Sequence, residues 1–336
     1  MKMRALLWLI GSALLISSCG DDDSGDVNLD PTLLAQWETE VTAARELADN
    51  SVEGTFPGDF FEGSIAKLRE GIDLAQGIVD RATEDIRIES ARLVLEFAID
   101  EFEASLVEEA IPLFTGLSSE VLVNNPDINL SPNEFTVEFR VKLRSYDAGQ
   151  IVADMVGTLH QPDGTLNTSG WAIRYLTAPS GNPGVVDFII GTGNDGAFFV
   201  EPDVQGYTLP LEEWVHIAAT FNDGNMKLYI DGTELLNFNA PRPLNADPAF
   251  SIFRIGNSRY KDGRYTNGNI IDVRFWDVER TEQEINDNLA DYLAPPFSNY
   301  PDLRLYFPLN SNQGENIEDA TGNYTATATG LTWVQE

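Results

Sequence analysis

From Phe135 onward, apolar residues recur at every second position in short runs, and each run is closed by Gly, Asn, Asp or Pro. A period of two sends one face of an extended strand to a core and the other outward. Phe135 to Lys142, Trp171 to Tyr175, Val186 to Ile189 and Trp214 to Phe221 all follow it. Asn222-Asp223-Gly224-Asn225 is a turn, Met226 to Ile230 is the return strand, and Asp231-Gly232 closes it. This is a strong hairpin signal. Further strands are expected at Ile252–Ile255, Ile270–Trp276 and Leu303–Leu309, with one short helix at Glu282–Leu289 capped by Thr281. Many short strands separated by turns predict a mainly β sandwich.

Residues 31–111 follow a different period. Leu33, Leu34, Trp37, Val41, Ala44 and Leu47 make one helical face, with Asp30 as N-cap and Pro31 in the first turn. Gly54-Thr55-Phe56-Pro57-Gly58 interrupts the pattern, and a second helix carries Ile65, Leu68, Ile72, Ala75 and Val79. Thr83 can cap a third, with Leu93 or Val94, Phe97 or Ala98, and Phe102 facing inward. Three amphipathic helices with short connections predict a small bundle. Glu53 to Gly58, then Ile72, Asp73, Ala75, Gln76 and Val79, then Ala98 to Phe102 resemble the three-helix modules called FIVAR-like. The resemblance implies a spacer over residues 31–112. Trp37, Phe60 and Phe61 are either core residues or exposed ligand platforms.

The chain starts with Lys2 and Arg4 before an apolar run from Ala5 to Ile16, too short to span a bilayer and suited to a signal segment. Ile16-Ser17-Ser18-Cys19 resembles the lipobox of bacterial lipoproteins. The resemblance implies removal of residues 1–18 and acylation of Cys19. Asp21-Asp22-Asp23 resembles an acidic surface-export tag, and residues 19–30 would then form a tether. An outer-membrane anchor facing the cell exterior is the expected location. Cys19 is the sole cysteine, so neither an internal disulfide nor a thiolate zinc site can form. Loss of Lys2 and Arg4 would deepen the net charge from −33 to −35. Such a charge repels phosphate backbones, which excludes nucleic acid as a partner.

Phe135 to Phe139, Gly170-Trp171-Ala172-Ile173, Trp214 to Ala218, Leu228 to Gly232, Ile255-Gly256-Asn257 and Gly268 to Trp276 stand in order, followed by Arg280-Thr281 and Glu284-Ile285. In that order they resemble a laminin-G/pentraxin-type domain. The resemblance implies a concanavalin A-like jelly-roll sandwich over residues 113–336, preceded by the three-helix bundle. That superfamily holds lectins, glycoside hydrolases and adhesion modules, so fold alone does not assign function.

The glucanases of this superfamily carry Glu-x-Asp-x-x-Glu, and no such sequence occurs here; near Glu201-Pro202-Asp203 the second glutamate is replaced by Gly206. Retaining hydrolysis needs two carboxylates at close range, so an acid pair from separate strands would be required. A serine triad needs a histidine base. His216 reads as structural and His160 as a surface residue. Calcium is the one cofactor left open. Asp154, Asp163, Asn167 and Asp262 are its candidate ligands, but Arg259 and Lys261 put cations where a pentraxin-like site needs acids. Ordinary turn chemistry accounts for the same residues. Arg259, Tyr260, Arg264, Tyr265 and Asn267 form a candidate ligand loop, with aromatic faces for a sugar ring and cations for an anionic glycan. The expected function is non-catalytic binding of an extracellular glycan. A surface-protein partner and a hydrolase with an unrecognised acid pair stand as alternatives.

Overall fold

The computed structural model describes residues 29–124, 130, 132–147, 150–160, 168–193, 199–200, 202–204, 206–246, 252–257 and 263–335. They form two compact units. One comprises the described residues up to Ser51 with Gly63–Ala104; the other comprises Val52–Glu62 with the chain from Ser105 onward.

The first unit is three helices, α1 (Pro31–Asn50), α2 (Ser64–Val79) and α3 (Asp85–Glu103). Asp30 caps α1, its carboxylate accepting the Thr32 N–H at 2.7 Å, and Pro31 occupies the first turn. Trp37, Val41, Ala44 and Ala48 of α1 meet Leu68, Ile72 and Ala75 of α2 and Ile88, Ala91, Leu95 and Phe102 of α3 in the buried set. Trp37 is therefore core. Of the alternatives for the α3 stripe the structure selects Val94 and Ala98, half-buried, with Phe102 buried, and leaves Leu93 and Phe97 exposed; the α3 N-cap is Glu84 and not Thr83. The buried face begins at Ile88, and counting by 3.6 residues from there leaves Leu93 and Phe97 outside it. Gly71 lets α2 and α3 approach closely: a Cβ there would lie 2.4 Å from the Ala98 methyl. No helix among the described residues is long and apolar enough to cross a membrane.

The second unit holds β1 (Ile111–Thr115), β2 (Glu120–Val123), β3 (Glu134–Leu143), β4 (Val152–Gly157), β5 (Trp171–Leu176), β6 (Val186–Gly191), β7 (Phe199–Val200), β8 (Val215–Asn222), β9 (Asn225–Ile230) and β10 (Thr233–Asn239). After these come β11 (Arg254–Ile255), β12 (Asn267–Trp276), the short helix α4 (Glu282–Asp287), β13 (Leu303–Phe307), β14 (Asn316–Glu318), β15 (Thr325–Thr329) and β16 (Thr332–Val334). The first sheet runs β10-β9-β8-β3-β12-β1-β16, with β13 also on β12; the second runs β14-β15-β2-β11-β4-β5-β6-β7. The strand pairs within both sheets are antiparallel. Asp223 and Gly224 join β8 to β9 with φ of 49° and 99°, and Asp231 and Gly232 join β9 to β10 with 47° and 74°. Positive φ at both central residues is the two-residue hairpin geometry that matches strand twist. A bulge between Glu234 and Leu236 bends β10, the outer strand of its sheet. Helix α4 carries the full capping box between Thr281 and Glu284.

The two layers meet on aromatic rings. Phe135 of β3 stacks on Trp171 of the opposite sheet at 5.0 Å and on Phe221 and Phe275 of its own sheet at 5.5 and 5.4 Å. The Trp171 indole N–H donates to the Leu130 carbonyl at 2.6 Å, so this buried polar atom is satisfied. Truncating Phe135 to alanine should cost about 3–5 kcal/mol, the range for a buried aromatic. Urea unfolding would measure this, and a loss under about 1 kcal/mol would mean the core does not hinge on this ring.

Candidate functional site

The outer face of the second sheet carries a row of charges. Asp154 of β4 is opposite Arg174 of β5, which is opposite Asp187 of β6, which bridges to Asp203. Arg174 grips both Asp187 oxygens, at 2.7 and 2.6 Å. The structure brings Asp154 against part of the expected ligand loop. Its N–H donates to the Arg264 carbonyl at 3.1 Å, it bridges to Tyr265, and its carbonyl accepts the Thr266 hydroxyl at 2.9 Å. Arg264 is buried, and Tyr265 and Asn267 are half-buried, with Asn267 already at the start of β12. The cation expected at 264 is thus a covered one, because pairing with β4 draws residues 264–266 onto the sheet. His160 is buried as well, bridged to Ser169, and is not a surface histidine. Cys19, Asp163, Asn167, Arg259, Tyr260 and Asp262 lie outside the described residues. Among the described residues no group of three or more His, Cys, Asp or Glu could hold a metal ion. Asp154 supplies a single carboxylate, and the residue facing it across the strand pair is a guanidinium.

The outer face of the first sheet is built otherwise. Alternation along β3 turns Val137, Phe139 and Val141 inward and leaves Glu138 and Arg140 on the other side. There Glu138 lies 3.4 Å from His216, 3.8 Å from Arg274 and 3.4 Å from Arg280. Arg274 donates to both oxygens of Asp272 at 3.0 and 2.6 Å, then to the carbonyls of Asn288 at 2.9 Å and Asp291 at 2.6 Å. Arg140 reaches Asp272 at 3.2 Å and the Ala290 carbonyl at 3.3 Å. Glu138 and Arg274 have no exposed surface, and His216 and Asp272 have almost none. Burial alone would raise the Glu138 pKa, but His216, Arg274 and Arg280 outweigh it and hold the carboxyl below its ordinary value. The cluster lies beneath the surface, with only Arg140 and Arg280 slightly exposed. Its chemistry is positional: cations of the sheet hold the chain at 288–291 through its carbonyls.

That held segment leads into Tyr292, Leu293, Ala294 and Pro295, one wall of a groove of about 1020 Å³. The Arg140 guanidinium stands over the Tyr292 ring at 4.4 Å, and the Leu293 N–H donates to the Tyr306 hydroxyl at 3.1 Å. The other wall is the loop Val52–Glu62. Gly58 N–H donates to the Val107 carbonyl at 3.0 Å, Val107 N–H to Asp59 at 2.8 Å, and Phe61 N–H to Ser105 at 3.0 Å. The Ser311 hydroxyl donates to the Thr55 carbonyl, and Phe56 stacks on Phe297 at 6.0 Å. Gly58 has φ of 94°, which favours glycine, and Gly54 leaves room for the Asp59 carboxylate, which a Cβ there would displace. Phe56, Phe61 and Tyr292 give the groove three aromatic rings, and Glu53, Asp59, Glu62 and Glu318 give it four carboxyl groups. Phe61 is 54% exposed. Apolar surface with a few convergent polar groups is what a small-molecule site needs, and the volume is at the top of the usual range of about 300–1,000 Å³. The sequence named Phe61 as a possible platform; Glu62, Glu318 and Tyr292 carried no local signal.

A sandwich of two antiparallel sheets with three helices near its N-terminus defines a concanavalin A-like fold. The chain belongs to the family described as the concanavalin A-like lectin/glucanases superfamily, which matches residues 115–286. A solved protein of Bacteroides ovatus ATCC 8483, described provisionally as carbohydrate binding, is similar in fold with a TM-score of 0.50 and 22% identity. The match covers 68% of this chain and spans 60% of that protein's length. A heptameric SAP-like pentraxin of Limulus polyphemus matches with a TM-score of 0.44 and 11% identity, over 67% of this chain and 94% of the pentraxin. No curated protein matches the chain.

The depressed Glu138 pKa fixes the sign of one pH effect. Its ionised form stabilises the fold above the ordinary carboxylate pKa, and that contribution disappears as pH falls through the lower folded value. Resistance to urea should fall below about pH 4. Glu138→Gln should be less stable at neutral pH and lose less on acidification; an identical acid slope in both proteins would remove Glu138 from this account.

Proposed function

We propose that this chain is a lipid-anchored surface protein that binds carbohydrate without cleaving it. The groove between Phe61 and Tyr292 is the binding site in this reading, and it is the single observation that carries the reading. Sugar rings present flat C–H faces that stack on aromatic rings, and their hydroxyls donate to carboxylates. Membership of a superfamily that includes lectins supports the same reading. The missing Glu-x-Asp-x-x-Glu sequence and the sealed position of Glu138 and Asp272 favour retention over hydrolysis. The helical unit acts as a spacer, with residues 19–30 as tether and Cys19 as the acylated residue on the outer membrane, facing the exterior.

Affinity electrophoresis through gels that contain single polysaccharides is the test of binding. At least one polysaccharide should retard the protein, with no reducing ends released, and Phe61→Ala with Tyr292→Ala should run freely. No retardation on any polysaccharide, with or without calcium, would overturn the proposal, and reducing-end release would replace it with the hydrolase reading. For the anchor, cells expressing the full chain and fed labelled palmitate should label the wild type and not Cys19→Ala. Equal labelling of the two would discard the anchor.

A further inference from the structure

We infer that the groove selects glycans with free amino groups, of the glucosamine-oligomer class, over neutral and acidic ones. This deepens the carbohydrate-binding reading and rests on it. The groove's lining contains Glu53, Asp59, Glu62 and Glu318, and among its described lining residues none is Lys or Arg. The nearby Arg140 is engaged with Asp272, the Ala290 carbonyl and the Tyr292 ring. The positive charge that the sequence placed at Arg264 belongs to the second sheet and is buried there. A uronate, sulfate or sialate in this groove would therefore meet four like charges, within a chain whose net charge is −33.

The placement of the acids adds to their number. Asp59 is fixed at the turn of the loop wall, where its Oδ2 accepts the Phe56 N–H at 3.1 Å. Glu62 and Glu318 are exposed at the margin, and Val52, Phe56, Phe61 and Tyr292 provide apolar surface between them. A sugar ring laid on an aromatic face carries its amine at the ring edge, within reach of such a margin. A hydroxyl or an acetamide N–H can also donate to these carboxylates, but only an ammonium adds a full positive charge to the pair. Because the margin is exposed, the selectivity is sensitive to salt.

Isothermal titration of the full protein with three oligomers of equal length decides the matter: glucosamine, N-acetylglucosamine and galacturonic acid. At low salt and pH 6 the glucosamine oligomer should bind about tenfold tighter than its N-acetylated form, a difference of about 1.4 kcal/mol, and galacturonate should bind weakest. High salt, and the exposed double variant Glu62→Gln/Glu318→Gln, should erase the preference. Phe61→Ala should weaken the glucosamine oligomer even at low salt. Equal binding of all three, or galacturonate tightest, overturns the inference while leaving the carbohydrate reading in place. Binding of some other glycan in the electrophoretic test but not of the glucosamine oligomer has the same result. An oligolysine of matched charge that binds as tightly and ignores Phe61→Ala also overturns it, by reducing the groove to a charged surface. Failure of every glycan in both tests removes the carbohydrate reading itself.

Discussion

A guanidinium taken out of water must find acceptors for five N–H groups, or the cost of burying its charge falls on the fold. Arg274 makes four such bonds, to both oxygens of Asp272 and to the carbonyls of Asn288 and Asp291, and Glu138 lies 3.8 Å from it. Two of these acceptors belong to its own strand and two to the covering segment. The satisfaction of one side chain thereby fixes the path of backbone more than a dozen residues away in sequence. Arg140 repeats the arrangement on the adjacent strand through Ala290. Tyr292 follows directly after these carbonyls, so its ring position descends from a charge balance on the far side of the sheet from the hydrophobic core.

The core itself supplies rigidity. Rings from both layers converge on Phe135, and such stacking tolerates little change of shape. One face of β3 is thus locked by packing, the other by ions. The opposing wall of the groove is held by main-chain hydrogen bonds from Gly58, Val107 and Phe61. Rigid walls reduce the ordering that a ligand must impose when it binds.

Much of this architecture was legible in the residues. The alternation of β3, β5, β6 and β8, the Asp-Gly turns and the Thr281 cap all state their conformation locally, and the expected strands fall within a few residues of the observed ones. Short strands such as β14 and β16 have too few residues to show a period. The site was far less legible. Glu138 and Arg140 alternate as outward residues, and nothing within β3 says that a later segment will cover them. Gly54 to Gly58 reads as a break between helices, which it is, but the hydrogen bonds that hold this loop, from Gly58 to Val107 and from Phe61 to Ser105, depend on chain that arrives more than forty residues later. The pairing of Asp154 with Tyr265 is equally non-local, and nothing near Arg264 in sequence announces that this side chain will be buried.

The bend in β10 has a consequence for how copies of this protein behave when crowded. An outer strand offers unpaired main-chain groups on which another molecule can add a strand of its own. Here that strand carries Glu234 beside an offset in its ladder, with Asn237 and Asn239 tied back to Asn225. A second molecule approaching edge-on would find the spacing of that ladder broken, which makes this edge a poor template for adding a further strand.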